Sequence, residues 1–250
     1  MSRLAGRVAV VTGATGGLGQ AICQALAEEG ASVVVGYHHS ALAAQALAQN
    51  LPPVDAGHWA ASAPVTDSNA LNELAALVDA RHGYCDLLVN CAGVTRFVPH
   101  RDLLGLDDDL IDRIFATNVR GAIACVRAFQ PLLQARSNGL VVNISSIAAR
   151  TAMGSNIAYC ASKAALDNLT ASLARALAPA VRVVSVAPGL ADTEFVQGLA
   201  SDWRDEQAQR TPLGRLALPE QVAQAVVAAA SHLTFTTGAV IPVDGGRALS

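Results

Sequence analysis

The sequence predicts an α/β fold, a doubly wound parallel β-sheet with helices on both faces, in a single domain spanning 1–250. Three observations predict it. Short apolar, β-branched runs alternate with longer Ala/Leu-rich stretches along all 250 residues, with no linker or low-complexity break, which is the pattern of βαβ units. Hydrophobic residues make up 52% and charged residues 15%, enough apolar side chain to bury strands on both faces. A glycine cluster follows the first apolar run and precedes the first helical stretch, where a parallel sheet places a ligand-binding turn.

The elements follow in order. "RVAVVTG" (7–13) reads as a fully buried strand, and "GQAICQALAEEG" (19–30) as a helix ended by Gly30. "ASVVVGY" (31–37) is a second strand and "ALAAQALAQNL" (41–51) a second helix, followed by "AGHWAAS", which is left unassigned. A third helix covers 67–83, with Asp67 as its N-cap. Then come a strand at 85–93, a long helix at 109–135, a strand at 139–146, a second long helix at 158–178 and a strand at 181–189. The least regular stretch, 190–218, lies between the carboxyl end of that strand and the next helix, and reads as a lid. A helix at 219–232 and a strand at 238–246 close the chain.

Charge and cysteine usage exclude several classes. The net charge of −3 gives no basic footprint for nucleic acid and none for a membrane surface. No apolar run approaches membrane-spanning length, and the first residues lack a signal-peptide core. The five cysteines, Cys23, Cys85, Cys91, Cys125 and Cys160, show no paired spacing and read as reduced thiols in a cytoplasmic protein. The histidines are dispersed and only His38 and His39 adjoin, so no metal site is expected.

Two local patterns carry chemistry. In "VVTGATGGLGQAI" (10–22) the glycines at 13, 16, 17 and 19 sit between a buried strand and a helix. Glycines let a backbone approach a pyrophosphate, and the helix start supplies N–H donors. In "AYCASKAAL" (158–166), Tyr159 and Lys163 stand four apart on one helical face. An ordinary Tyr, with a pKa of about 10, exchanges protons poorly near neutrality. A neighbouring cation favours the phenolate and lowers that value, so the pair reads as a proton donor and the cation that tunes it.

The octet "TGATGGLG" resembles the TGxxxGxG loop of the short-chain dehydrogenase/reductase family, and further motifs match in order. "NCAG" (90–93), Asn118 in "ATNVRGA", "NISS" (143–146), "YCASK" (159–163), "APGLADT" (187–193) and the C-terminal "TGAVIPVDGG" all have counterparts, so the resemblance spans nearly the whole chain. It implies a Rossmann-type fold and a hydride exchange between a nicotinamide cofactor and a carbonyl or alcohol. Tyr159 would be the proton donor or acceptor, and Lys163 would lower its pKa and hold the nicotinamide ribose. Ser146, 13 residues before the tyrosine, would orient the carbonyl in preference to Ser145, and Asn118 would hold a water in a proton relay. Gly13, Thr15, Gly17, Leu18 and Gly19 would cradle the pyrophosphate, with Thr12 bracing the turn. Asn90, Ala92 and Gly93 would follow the adenosine ribose. Pro188, Gly189, Ala191 and Thr193 would hold the nicotinamide. Pro64 stands where relatives often have Asp or Asn, which leaves adenine recognition to Val65.

The second strand ends "VVVGYHHS", with no acid until Asp55. A carboxylate there would bind a ribose 2′-OH and repel a 2′-phosphate. Tyr37, His38, His39 and Ser40 therefore favour NADP(H), with NAD(H) the alternative. Phe97, Met153, Phe195 and Trp203 are candidates to line an apolar substrate pocket. The motifs resemble the 3-oxoacyl-(acyl carrier protein) reductase branch. Arg136 sits one place from a carrier-docking position there, and Ala180 replaces the second. A general carbonyl substrate is an equal alternative. A non-catalytic dinucleotide-binding regulator is the third reading, and it has no physical need of the full Asn118–Ser146–Tyr159–Lys163 set. By resemblance the two long helices pair between copies, which implies a homotetramer.

Overall fold

The strands are short and mostly apolar, rich in Val, Leu and Ala, and period two sends alternate side chains to opposite faces. In the computed structural model, which describes residues 2–193, 196 and 200–249, this produces one seven-stranded sheet. The strands are β1 (Val8–Thr12), β2 (Ser32–Tyr37), β3 (Trp59–Ser62), β4 (Leu87–Asn90), β5 (Gly139–Ile144), β6 (Val181–Pro188) and β7 (Val240–Val243), all parallel, in the order β3-β2-β1-β4-β5-β6-β7.

The connecting helices are α1 (Gly17–Glu28), α2 (Ala41–Asn50), α3 (Ser68–His82), α4 (Asp108–Phe115), α5 (Gly121–Gln134), α6 (Ala148–Thr151), α7 (Ile157–Leu177), α8 (Ser201–Gln209) and α9 (Pro219–Ser231). On one face Ala9, Val11, Val33 and Val35 meet Ile22 and Leu26 of α1, Ala44 of α2 and Val222 and Val226 of α9. On the other face Val8, Val10 and Val34 meet Leu71 and Leu74 of α3, Phe129 and Leu133 of α5 and Leu177 of α7. Among the described residues no helix is long and apolar enough to cross a membrane.

Three features depart from the sequence-based expectation. "AGHWAAS" supplies an edge strand, β3, whose four residues, two partly covered, one buried and one exposed, are too few to show an alternation. The strand expected over 85–93 ends at Asn90, because the peptide N–H groups of Cys91 and Ala92 turn away to the Thr12 hydroxyl, each at 3.2 Å. The helix expected over 109–135 is interrupted by a π-helical turn at Ala116–Arg120. Such a turn inserts one residue per hydrogen-bonded loop and recurs at functional sites. It carries Asn118, which is buried. Asp67 caps α3 as expected, accepting from Asn69 N at 2.9 Å and Ala70 N at 3.2 Å.

Three thiols are buried in this core, Cys23, Cys85 and Cys125. Burial pushes Cys23 up strongly and holds Cys85 and Cys125 up to about 12. Their folded values lie above the unfolded value, so the stability they contribute is fully present below pH 9 and is lost as pH rises toward the folded values. Lys163, lowered by burial to about 8, acts with the opposite sign above that pH, against these three and against Cys91, Cys160 and Tyr159, which burial also raises. Urea melts are therefore expected to show stability falling above pH 9, by about 1.4 kcal/mol per pH unit for each thiol not offset. A flat profile from pH 8 to 10 would contradict this.

Candidate active site

Strand order reverses at β1, whose neighbours are β2 and β4, and ligands bind beyond the carboxyl ends of the strands at such a point. The glycine loop between β1 and α1 stands there. Gly13 takes φ +63°, and a Cβ on it would lie 2.7 Å from Ala92 Cα; a Cβ on Gly19 would run into the Gly13 carbonyl oxygen. A Cβ on Gly17 would meet the Thr193 side chain at 3.1 Å. Gly13 and Gly19 thus make the turn, and Gly17 brings the start of α1 close to the segment after β6. The Gln20 side-chain amide holds Thr15 O at 2.8 Å. The helix N-terminus carries no acid in its first turn, so its N–H groups and dipole favour an anion.

Register aligns Thr12, Asn90, Asn143 and Ser185 across four neighbouring strands. Asn90 Nδ2 donates to Asn143 Oδ1 (2.9 Å), and Asn143 Nδ2 donates to Thr170 Oγ1 (2.8 Å), which donates to Leu166 O (2.9 Å). The Thr170 hydroxyl also lies 2.8 Å from Ser185 Oγ, which extends the network to β6. Asn90 Oδ1 is left buried with no partner among the described residues. A buried acceptor left unpaired costs about 1–3 kcal/mol. The glycine turn, closed to a Cβ at Gly13 and Gly19, and the anion-accepting helix start suit a dinucleotide.

The chemical groups lie on the far side of the loop. Lys163 is buried, and its Nζ donates to Ile144 O at 2.8 Å and stands 5.6 Å from the centre of the Tyr159 ring. Gly93 lies beside both groups: a Cβ on it would sit 3.8 Å from that Nζ and 3.5 Å from Asn118 Oδ1, in ordinary contact. Burial lowers Lys163 to about 8, against the raising influence of Cys91 and Asp167. Ser145 and Ser146 separate cleanly. Ser145 is buried and donates to Lys163 O at 3.4 Å, whereas the Ser146 hydroxyl accepts from Ala148 N at 3.1 Å and is the neighbour that draws the Tyr159 pKa down.

The net direction at Tyr159 corrects the expectation that Lys163 holds it low. In the protein's own surroundings burial outweighs the other influences and raises the phenol. Desolvation penalises the charged form more than these partners favour it. Asn118 is held by its protein neighbours: its Oδ1 accepts from Val94 N (2.8 Å), and its Nδ2 donates to Val94 O (3.1 Å) and Ser162 Oγ (3.1 Å).

The remaining predicted residues fall around this centre. Pro188 ends β6 and its carbonyl accepts from Ile147 N at 3.0 Å; a Cβ on Gly189 would stand 3.1 Å from Asp244 Cα. Ala191 bridges to Ala217, and the Asp192 side chain pairs with Arg204 of α8 at 2.8 Å, so the 190–218 segment is pinned at its base. The sequence reading missed that pair. Val65 is buried against Gly121, where a Cβ would meet Val65 Cγ2 at 2.8 Å. Tyr37, His38, His39 and Ser40 lead into α2. The two imidazoles are exposed, 3.6 Å apart between ring centres, and α2 has no acid in its first turn. Phe97 and Met153 are exposed on loops joined by a Val98 N to Ser155 O bond of 2.8 Å, at the Tyr159 end. Trp203 lies partly covered on α8, and Phe195 lies outside the described residues. Arg136 is at the opposite end of the sheet, paired with Asp86 at 3.5 Å and stacked over Tyr84 at 4.5 Å. It does not flank the entrance. Among the described residues no group of three or more metal-ligating side chains gathers.

Residues 13–248 match a family described as enoyl-(acyl carrier protein) reductase. The chain is 40% identical over 244 residues to cis-4-hydroxycyclohexanecarboxylate dehydrogenase of Sinomonas cyclohexanicum, covering 96% of each chain. The solved short-chain dehydrogenase/reductase of Serratia marcescens BCRC 10948 superposes with a TM-score of 0.89 at 33% identity, over 98% of this chain and 99% of that one. A gluconate 5-dehydrogenase of Burkholderia cenocepacia J2315, solved in complex with NADP and tartrate, gives a TM-score of 0.89 at 28% identity, over 99% and 97% of the two chains.

Proposed function

The chain belongs to the short-chain dehydrogenase/reductase family, and from that premise we propose that it interconverts a ketone and a secondary alcohol with NADP(H). The observation that carries this is the meeting of Ser146, Tyr159 and Lys163 in front of Gly93, beside the glycine loop. When bound, the nicotinamide supplies or accepts the hydride. Gly13, Thr15, Gly17, Leu18 and Gly19 would hold the pyrophosphate, Asn90, Ala92 and Gly93 the adenosine ribose, and Pro188, Gly189, Ala191 and Thr193 the nicotinamide end.

The chain's own groups manage the proton. Burial keeps Tyr159 protonated at rest, so the phenol is ready to donate to a carbonyl oxygen as negative charge develops there. The Ser146 hydroxyl donates to the same oxygen and fixes its direction. The phenolate that forms faces the Lys163 ammonium, which is largely charged at neutral pH with a value of about 8. Asn118 acts by bracing Val94 and Ser162 around this centre. In alcohol oxidation each of these transfers runs in reverse.

NADP(H) is favoured over NAD(H) because the end of β2 offers two imidazoles, a hydroxyl and a helix start, and no carboxylate. Steady-state assays of a ketone and alcohol panel are expected to give a KM for NADPH about tenfold or more below that for NADH, in line with charge-assisted hydrogen bonds worth about 1.5–3 kcal/mol. Tyr37→Asp should reverse the order, since a carboxylate there repels a 2′-phosphate. A clear NADH preference in the unaltered protein would refute the assignment. The substrate is a small carbonyl or alcohol rather than a carrier-bound one, with Arg136 away from the entrance. It is approached under the 190–218 lid, between Phe97 and Met153. The protein works in the cytoplasm as a homotetramer, through the α5 and α7 faces where Ile123 and Ile157 stand exposed.

A further inference from the structure

Asn156 stands three residues before Tyr159 and is completely buried. It is the N-cap of α7: its Oδ1 accepts the Tyr159 peptide N–H at 2.7 Å. Capping uses only that oxygen, and Ser, Thr or Asp would supply it equally well. The amide's two hydrogens go elsewhere, one to Arg96 O at 2.7 Å and one to Thr95 Oγ1 at 3.1 Å. A side chain of this length that accepts from a helix start and donates twice to another segment has to be an asparagine.

The carbonyl side of the same peptide is held in a matching way. Tyr159 O accepts from Ser162 Oγ at 2.8 Å, and Ser162 Oγ accepts from Asn118 Nδ2. Asn118 in turn binds both the N–H and the C=O of Val94. Tyr159 is therefore tied at its N–H to residues 95–96 and at its C=O to residue 94, through two different buried asparagines. The Thr95 hydroxyl also meets Ser155 Oγ, and Val98 N donates to Ser155 O.

We infer that Asn156 is a positioning residue for the reaction. It locks the 94–98 wall, with Phe97 on it, to the backbone of Tyr159, so that the wall a substrate leans on and the proton donor keep one fixed spacing. The inference rests on Tyr159 being that donor. Proton transfer and carbonyl orientation depend steeply on such spacing, and a misplacement of about 1 Å costs about 100-fold in rate.

The test uses Asn156→Ser and Asn156→Thr in the full-length protein. Both keep an oxygen that can cap α7, both lose the amide's two donors, and neither brings a charge to the buried position. Each is expected to stay folded, with a Tm a few degrees below the parent and NADPH affinity unchanged, while kcat falls about 10–100-fold. The Tyr159 phenolate band, isolated as the ultraviolet difference from Tyr159→Phe, should titrate at a different pH in Asn156→Ser from that in the parent. Unchanged kcat together with an unchanged phenol titration would overturn the inference. So would a loss of kcat matched by equal losses of Tm and NADPH affinity, which marks a purely structural cap. Tyr159→Phe, measured beside them, separates the two levels: full turnover in that variant refutes the donor assignment, whereas the phenol titration still reads whether Asn156 positions the ring.

Discussion

Tyr159→Phe is expected to bind NADPH as the parent does and to turn over about 10²–10⁴-fold more slowly, the range a positioned general acid contributes. The substitution removes one hydroxyl and keeps the ring. The Tyr159 backbone stays held by Asn156 and Ser162, and Lys163 keeps its bond to Ile144 O. The groups assigned to the dinucleotide are untouched, since Asn90 and the glycine loop lie across the sheet edge from the phenol. Only proton delivery is lost. Paired measurements of kcat and of NADPH affinity by fluorescence titration check this, and a variant with parental kcat would sink the mechanism. The pH profile should carry the same message: the parent holds its phenol above the ordinary value by burial, and the alkaline limb that reports this group should be missing from whatever activity the variant retains.

Gly19→Ala is expected to cost about 1–3 kcal/mol of stability, the range for forcing an extra carbon into a packed place, and to weaken NADPH binding by at least about tenfold. A Cβ there would run into the Gly13 carbonyl oxygen and stand 2.7 Å from Ala14 Cα. Both neighbours are backbone. Gly13 O is already engaged with Gly16 N at 3.2 Å, and Ala14 N donates to Gly36 O at 3.0 Å, so neither can move without opening the turn. Gly16→Ala is the control. Its Cβ would meet only Gly13 O, at 3.6 Å, and it should cost under about 1 kcal/mol. Thermal melts and dinucleotide titrations of the two variants, made together, decide the matter; equal behaviour would mean that the loop tolerates what its geometry forbids.

The two predictions differ in how much of them could be read from the chain. The place of Tyr159 beside Lys163 follows from a spacing of four on one helix, and the glycine turn from its position between a strand and a helix. The direction of the Tyr159 pKa did not follow. The sequence puts a cation beside the phenol but says nothing of how much water both have lost, and burial settles the sign. Between Ser145 and Ser146 the sequence offers only the spacing to Tyr159 and the alternation of the strand, whereas in the fold the Ser145 hydroxyl donates to the α7 backbone at Lys163 O. Asn156 carries an ordinary N-cap signal before "IAYC", yet its partners Thr95 and Arg96 are sixty residues away in the chain. Asp192 and Arg204 likewise give no local sign of pairing across the lid.

By itself the sequence determined the alternation of strands and helices, the glycine turn, and the residue types available for proton transfer. These are encoded within a few neighbouring residues, by side-chain period, by helical spacing and by the φ angles open to glycine. Only the tertiary structure decided the π-turn that delivers Asn118, the orphaned oxygen of Asn90, the desolvation of Tyr159 and Lys163, and the two asparagine ties that hold the tyrosine. Those depend on which distant segments meet and how much water they exclude when they do, and neither quantity is written in any short stretch of the chain.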